Sequence, residues 1–339
     1  RILMRELGAA GKTVTVDASA SGAETVCVWE RGARALAAAD KVNFITANGS
    51  MEFAAADLAT GGDVYTAIAS AVPNDAQKRA LGNQLNTAAP FVVNATVDGK
   101  AITAPCSVTL GYKPGDEGSN TLTVVSVGDK GEIASADGRY EGGVMKCTVP
   151  ANTLSAVVRF PFFDVSEGAW YFGDIVYAYN NGLFSGTGDY TFEPETTMTR
   201  GMLVSVLWRL EGKPEAAASP FTDSGDSWYT KAVDWAAANG IVAGTSATTF
   251  EPNATVTREQ MAAILFRYAN FKKLDTSARA DLAGFPDAGK VPESMRDEIN
   301  AVCALGIIKG GDGGLLLPDS GATRAQAAVM ICRMLDIAV

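Results

Sequence analysis

Three Thr-Arg pairs, Thr199-Arg200, Thr257-Arg258 and Thr323-Arg324, each stand at the head of an apolar run with helical spacing. The chemistry they offer is anion binding. A Thr at that position caps a helix, and the first turn carries unsatisfied backbone N–H groups at the positive end of the macrodipole. The guanidinium adds a two-pronged donor that fits a carboxylate. The competing reading of each Arg is a surface ion pair with a neighbouring carboxylate, and recurrence of the pair in one frame favours binding.

The rest of the inventory excludes more than it offers. The 339 residues include no histidine, so Ser-His-Asp triads, Cys-His dyads and His-ligated zinc are all absent. Two carboxylates suffice for glycoside hydrolysis, but no pair stands out; Asp116 and Glu117 fall in a turn-like PGDEGSN, where acids are normally solvated. Five cysteines, at 27, 106, 147, 303 and 332, lack CxxC spacing and read as small buried apolar groups. Outside the cell, Cys106 could pair with Cys147 or Cys303 with Cys332, leaving Cys27 over. No cofactor or metal site is expected. The net charge of −10, from 28 basic and 38 acidic residues, disfavours nucleic acid and anionic lipid in general. The acidity is concentrated late, with 14 basic and 16 acidic residues before position 161 and 14 and 22 from there on.

The elements that must position the Thr-Arg pairs form an internal repeat. GLFSGTGDYTFEPETTMTRGMLVSVLWRL from Gly182, GIVAGTSATTFEPNATVTREQMAAILFRY from Gly240 and GIIKGGDGGLLLPDSGATRAQAAVMICRM from Gly306 align with Gly-to-Arg separations of 18 and Pro-to-Arg separations of 6 in every copy. Each copy opens with Phe-x-Asp, at Phe162 to Asp164, Phe221 to Asp223 and Phe285 to Asp287. Trp170 and Trp228 stand 12 before their Gly, where the third copy has Ser294. The pattern predicts helix, loop, helix. In the second copy Trp228, Ala232, Val233, Trp235 and Ala236 form one apolar face before Asn239-Gly240 stops the first helix. The loop carries Phe-Glu-Pro, and Thr257 with Gln260 then makes a capping box that Thr323 and Gln326 repeat; Thr199 with Met202 keeps the cap and loses the box. The stripes after each Arg are Leu203, Val204, Leu207 and Trp208, then Met261, Ala262, Leu265 and Phe266, then Ala327, Ala328, Ile331 and Cys332. They read as core, buried against neighbouring copies. Gly310-Gly311-Asp312-Gly313-Gly314 lacks the Gly-Lys-Ser/Thr ending of a phosphate loop and reads as a turn.

Phe-x-Asp, Trp, Gly-Ile/Leu-x-x-Gly, Phe-x-Pro and Thr-Arg, in three tandem copies, resemble the S-layer homology domain over residues 161–339. The resemblance implies a pseudo-threefold prism around a three-helix bundle that binds a peptidoglycan-linked secondary cell-wall polysaccharide, often pyruvylated, in grooves between copies. It implies polymer-binding roles for Arg200, Arg258 and Arg324, Thr199, Thr257 and Thr323, Trp170 and Trp228, and Asp164, Asp223 and Asp287. A pyruvyl ketal is an anion, and a Trp face suits a sugar ring; the competing readings are core packing for Trp and helix capping for Asp. The family's Thr-Arg-Ala-Glu reads Thr199-Arg200-Gly201-Met202, Thr257-Arg258-Glu259-Gln260 and Thr323-Arg324-Ala325-Gln326, so its final Glu is missing throughout and the grooves should be inequivalent.

Residues 1–160 have a different texture. β-branched runs (KTVTVDA, ETVCVW, KVNFIT, PFVVNATV, CSVTLGY, NTLTVVSV, MKCTV, LSAVVRF) alternate with turn signals, interrupted by helical stretches near FAAADLA and DAQKRALGNQL. The whole is expected to be a two-part chain: an α+β, mainly β, module resembling those that precede S-layer homology repeats, then all-α helix-loop-helix repeats at 161–219, 220–283 and 284–339. Residues 1–30 read either as the end of a preceding module or as an extra hairpin. The chain opens on Arg1, which reads as a processed or truncated product, and no stretch reaches the ~18 apolar residues of a membrane span. The expectation is a non-enzymatic, extracellular cell-wall anchor. Its alternatives are a lattice-assembly protein that contacts other S-layer or surface proteins, and the anchor fragment of a surface hydrolase.

Overall fold

The computed structural model describes residues 13–337 except 20–21, 23, 29–35, 37–38, 59–61, 85–88, 114–121 and 189. The turn with Asp116 and Glu117 and most of span 1–30 lie outside these residues. Contacts divide the chain into two units, Arg1–Asn181 and Gly182–Val339.

The first unit is built from strands β1 (Thr13–Asp17), β2 (Thr25–Val28), β3 (Lys41–Thr46), β4 (Gly49–Ala54), β5 (Val64–Ser70), β6 (Ala89–Val97), β7 (Lys100–Ala101), β8 (Pro105–Gly111), β9 (Leu122–Val127), β10 (Ile133–Ser135), β11 (Arg139–Glu141), β12 (Val144–Pro150) and β13 (Leu154–Arg159). One sheet runs β1-β3-β4-β8-β12-β11 and the other β10-β9-β13-β6-β5-β2, with β7 on β6. Alternation of buried and exposed residues in β1, β3, β8 and β12 follows from one face meeting a core that includes Val42, Phe44, Met51, Phe53, Val93, Val108, Val124 and Met145 from both sheets. The described part of span 1–30 joins these sheets: β1 pairs parallel with β3 and β2 antiparallel with β5, so no hairpin forms there. Two expectations change. FAAADLA begins inside β4 and contributes only a one-turn helix, α1 (Ala55–Leu58), while β5, an Ala-rich VYTAIAS whose composition hides its strand character, was not expected at all.

Strand β9 is buried at every residue and β13 at all but its last, because the outer face of their sheet is also covered. Helix α2 (Asp75–Leu81), capped by Asn74, donates from Gln77 Nε2 to Val127 O at 3.2 Å. Helix α3 (Phe172–Asn180), which opens the first repeat, packs beside it; Asn180 Nδ2 donates to Ala80 O at 3.2 Å, and Gly173 lies so close to Ile133 O that a Cβ would sit 2.3 Å from it. All five cysteines are free thiols, with Cys106, Cys147 and Cys332 buried.

The second unit contains α4 (Arg200–Leu210), α5 (Thr230–Ala238), α6 (Arg258–Phe271), α7 (Arg296–Ala304) and α8 (Arg324–Ile337). Helices α4, α6 and α8 are buried around most of their circumference, as core helices must be, whereas α5 and α7 bury one face. The segments before α4, α6 and α8 meet in a closed ring: Met198 N–H donates to Ala322 O, Ala322 N–H to Val256 O and Val256 N–H to Met198 O, each at 2.9 Å. This is the pseudo-threefold arrangement. No helix among the described residues is long and apolar enough to cross a membrane.

Candidate functional site

The three Thr residues cap their helices as the sequence predicts. Met202, Gln260 and Gln326 backbone N–H groups donate to Thr199, Thr257 and Thr323 Oγ1 at 3.2, 3.3 and 3.3 Å. Gln260 and Gln326 close capping boxes, and in the first copy the box position is filled by Met202 Sδ, 3.5 Å from Thr199 N, where no box was expected. The weaker sulfur acceptor thus replaces an amide oxygen.

The first-turn N–H groups, expected to be open to an anion, are occupied. Arg200 and Gly201 N–H donate to Ala254 and Pro252 O at 3.0 and 2.8 Å; Arg258 and Glu259 to Ser320 and Pro318 O at 2.9 and 3.0 Å; Arg324 and Ala325 to Thr196 and Pro194 O, both at 2.9 Å. The carbonyls come from the Pro-containing loop of the next copy, where Pro194, Pro252 and Pro318 each sit at the second position of a turn closed by Thr196, Ala254 and Ser320 N–H donating to Glu193, Glu251 and Leu317 O. With the Thr hydroxyl on the third N–H, the helix N-terminus is satisfied by protein.

The arginine side chains follow the same cyclic path. Arg200 Nε donates to Phe250 O at 2.8 Å and Nη2 to Ala243 O at 3.0 Å; Arg324 Nε donates to Phe192 O at 2.7 Å and Nη2 to Ser185 O at 2.8 Å. Their guanidinium carbons lie 4.5 Å above the Phe250 and Phe192 rings. Arg258 Nε donates to Leu316 O at 2.7 Å and Nη1 to Gln326 Oε1 at 3.2 Å, but Leu316 replaces the ring and Nη2 is buried without a partner. All three residues are only 4–6% exposed, and these hydrogen bonds go to carbonyl and amide oxygens instead of the surface carboxylate of the competing reading. Burial pulls the Arg200 and Arg258 guanidinium pKa values down; Glu251 and Asp223 work against this at Arg200, and Asp287 does so at Arg258.

Asp223 and Asp287 hold the loops from the opposite side. Asp223 accepts from Phe250 and Glu251 N–H at 2.8 and 2.7 Å, and Asp287 from Leu316 and Leu317 N–H, both at 2.8 Å. Desolvation alone would raise their pKa values, but the backbone donors outweigh it and hold both carboxyls below the ordinary value. One loop peptide is therefore gripped at both ends, by Asp on its N–H and by the preceding copy's Arg on its C=O. Just before Pro, Glu193, Glu251 and Leu317 take φ values of 57°, 58° and 51°. This left-handed backbone costs a non-Gly residue energy and persists because the loop is fixed on both sides.

Trp170 and Trp228 are 64% and 59% exposed, so they lie outside the core, Trp228 included although its spacing had placed it on the buried face of α5. Each meets the following tyrosine edge-on, Trp170 with Tyr171 at 5.3 Å and Trp228 with Tyr229 at 5.0 Å, both at 72°. Tyr229 is buried at the junction of the first two copies: its ring would lie 3.1 Å from a Cβ on Gly201, and its hydroxyl accepts from Asn253 Nδ2 at 3.2 Å. Gly201, at the family's usual Ala position, makes room for the ring, and the rigid Tyr229 presents Trp228 to solvent. Tyr229 was not singled out in the sequence, although its recurrence after Trp was visible there.

The S-layer homology domain family model matches residues 161–201, 220–262 and 284–328. An endoglucanase of Bacillus sp. (strain KSM-635) is 30% identical over 197 residues, 57% of this chain and 21% of the relative. Amylopullulanase of Thermoanaerobacterium thermosulfurigenes is 25% identical over 255 residues, 72% of this chain and 14% of the relative. S-layer protein sap of Bacillus anthracis is 29% identical over 196 residues, 56% of this chain and 23% of the relative. The chain thus spans less than a quarter of the length of each of these relatives.

Proposed function

Starting from the three tandem S-layer homology domains at residues 161–328, we propose that this chain is a cell-surface anchor that holds its protein to the bacterial wall through a peptidoglycan-linked secondary polysaccharide. The observation that carries the reading is the pair of solvent-facing tryptophans, Trp170 and Trp228, each braced by a tyrosine. An indole face stacks against the C–H face of a sugar and gives up little entropy in doing so. Arg200, Arg258 and Arg324, Thr199, Thr257 and Thr323, and Asp223 and Asp287 serve as positioning residues that fix the junctions, and the arginines lend positive potential beneath them. Asp164 stands at the equivalent sequence position in the first copy. An anionic substituent such as a pyruvyl ketal would be drawn to that potential.

The relatives support a second reading of the chain's context. S-layer proteins and polysaccharide-degrading enzymes both carry segments similar to this one, so the anchor would serve either a lattice protein or a surface hydrolase. The anchor itself is non-catalytic in either case.

Co-sedimentation of the chain with Gram-positive sacculi, before and after chemical removal of the secondary polymer, tests the proposal. Binding should vanish with the polymer, and Trp228→Ala should weaken it about tenfold with unchanged thermal unfolding, the effect of losing one aromatic anchor. Undiminished binding to stripped sacculi, with Trp170→Ala and Trp228→Ala both silent, would refute it.

A further inference from the structure

The first unit has a cleft of about 350 Å³, lined by the end of the β-rich region and by the opening residues of the first repeat, and none of its lining residues is used in the anchoring reading. It lies where the chain leaves one sheet for the other between β10 and β11. It is lined by Leu122, Thr123, Arg139, Tyr140, Phe163 and Glu167, with Phe160 and Phe162 among the other walls. Gly138 is required at the crossover because a Cβ there would lie 2.1 Å from Val124 N.

The cleft is rigid beneath and chemically mixed above. Phe160 and Phe162 meet edge-on at 5.3 Å, and each also packs edge-on against Tyr179, at 6.4 and 5.1 Å. Over this fixed floor Phe163 is 70% exposed, a large apolar ring held in solvent. The Glu167 carboxylate is oriented by two hydroxyls, with Oε2 accepting from Ser135 Oγ at 2.5 Å and Oε1 from Thr123 Oγ1 at 3.2 Å. Its remaining lone pairs are available to a donor such as a ligand hydroxyl. Arg139 adds exposed donors at the rim.

We propose that this cleft is a second carbohydrate site, taking one or two sugar rings by stacking on Phe163 and Tyr140. Adjacent hydroxyls donate to Glu167 and accept from Arg139. The volume is at the lower end of the roughly 300–1,000 Å³ of small-molecule sites, and an oriented acceptor and a donor lining one cleft with aromatic rings are the complement of a hydroxylated ring. A peptide adding to the nearby sheet edge fits less well. That edge is β11, three residues long with Arg139 and Glu141 at its ends, the kind of short charged strand that resists pairing.

Saturation-transfer NMR and calorimetric titration of the whole chain test the site, with cellobiose as a neutral probe and glucuronate as an acidic one. At least one should bind with a dissociation constant near about 1 mM, and Phe163→Ala and Glu167→Gln should each weaken it about fivefold without changing thermal unfolding. Trp228→Ala should leave it unaltered, which separates this site from the tryptophan surface of the anchor. Failure of both probes to bind at about 10 mM overturns the proposal, as does affinity unchanged in both cleft variants. Loss confined to Trp228→Ala would assign the signal to that tryptophan surface and also overturn it, while sacculus binding continues to report on the anchor alone.

Discussion

At the residue scale, the arginine of each Thr-Arg pair acts as a latch between copies. Two backbone carbonyls depend on Arg200 and two on Arg324, and an aromatic ring covers each guanidinium, whereas Arg258 serves one backbone carbonyl and one side-chain amide and leaves Nη2 unpartnered. Removing a buried donor strands its acceptors, so Arg200→Ala and Arg324→Ala should each destabilise the second unit by about 2–4 kcal/mol, and Arg258→Ala by about 1 kcal/mol less. Urea titration of the three variants measures the order; equal losses would mean that the unpartnered nitrogen is already compensated. The aspartates predict an acid limb. Asp223 and Asp287 have folded pKa values below the ordinary 3.8, so the folded chain binds fewer protons than the unfolded one. Their stabilisation is complete above the ordinary value and is lost as pH falls through the lowered one. The difference in melting temperature between the parent and a doubly substituted Asp223→Asn, Asp287→Asn chain should accordingly be constant from neutrality to about pH 5 and shrink below about pH 4.

At the element scale, the ring of segments before α4, α6 and α8 breaks its own symmetry. Thr197, Thr255 and Gly321 occupy equivalent positions, and a Cβ on Gly321 would lie 2.8 Å from Thr255 Cγ2 and 2.9 Å from Thr197 Cγ2. Two methyl groups fill the centre and leave room for a hydrogen. Gly321→Ala should cost about 1–3 kcal/mol by overpacking, and Thr255→Ser in the same chain should restore most of it; a melting-temperature cycle over the four proteins detects the coupling. The sequence announced these elements well. A repeat with spacings of 18 and 6 fixed the helices, their caps and the loop, and β-branched alternation found eight of the strands. What it withheld were contacts made at a distance. Arg200, Arg258 and Arg324 reach loop carbonyls 50, 58 and 132 residues away, so a guanidinium at a helix start read as a free anion donor when it was already committed. Trp228 was misplaced for a related reason: its spacing matches the buried face of α5, but it precedes the helix, and Tyr229 takes the interior position.

For the whole molecule, charge and burial together decide how salt should act on wall binding. A chain of net charge −10 repels an anionic polymer at long range, and the guanidinium groups at the junctions between copies, Arg200, Arg258 and Arg324, are 4–6% exposed and bonded to backbone. Direct guanidinium contact would make binding weaken steeply with ionic strength, whereas stacking on Trp170 and Trp228 has no such dependence and leaves only the net repulsion to be screened. The screening length falls from about 10 Å at 0.1 M salt to about 3 Å at 1 M, so retention on sacculi should hold or increase across that range. A tenfold decrease would shift the affinity from the tryptophans to the arginines. It would also require the buried guanidinium groups to become accessible when the polymer binds, either through donors the latches leave unused, such as Arg258 Nη2, or by release of loop carbonyls.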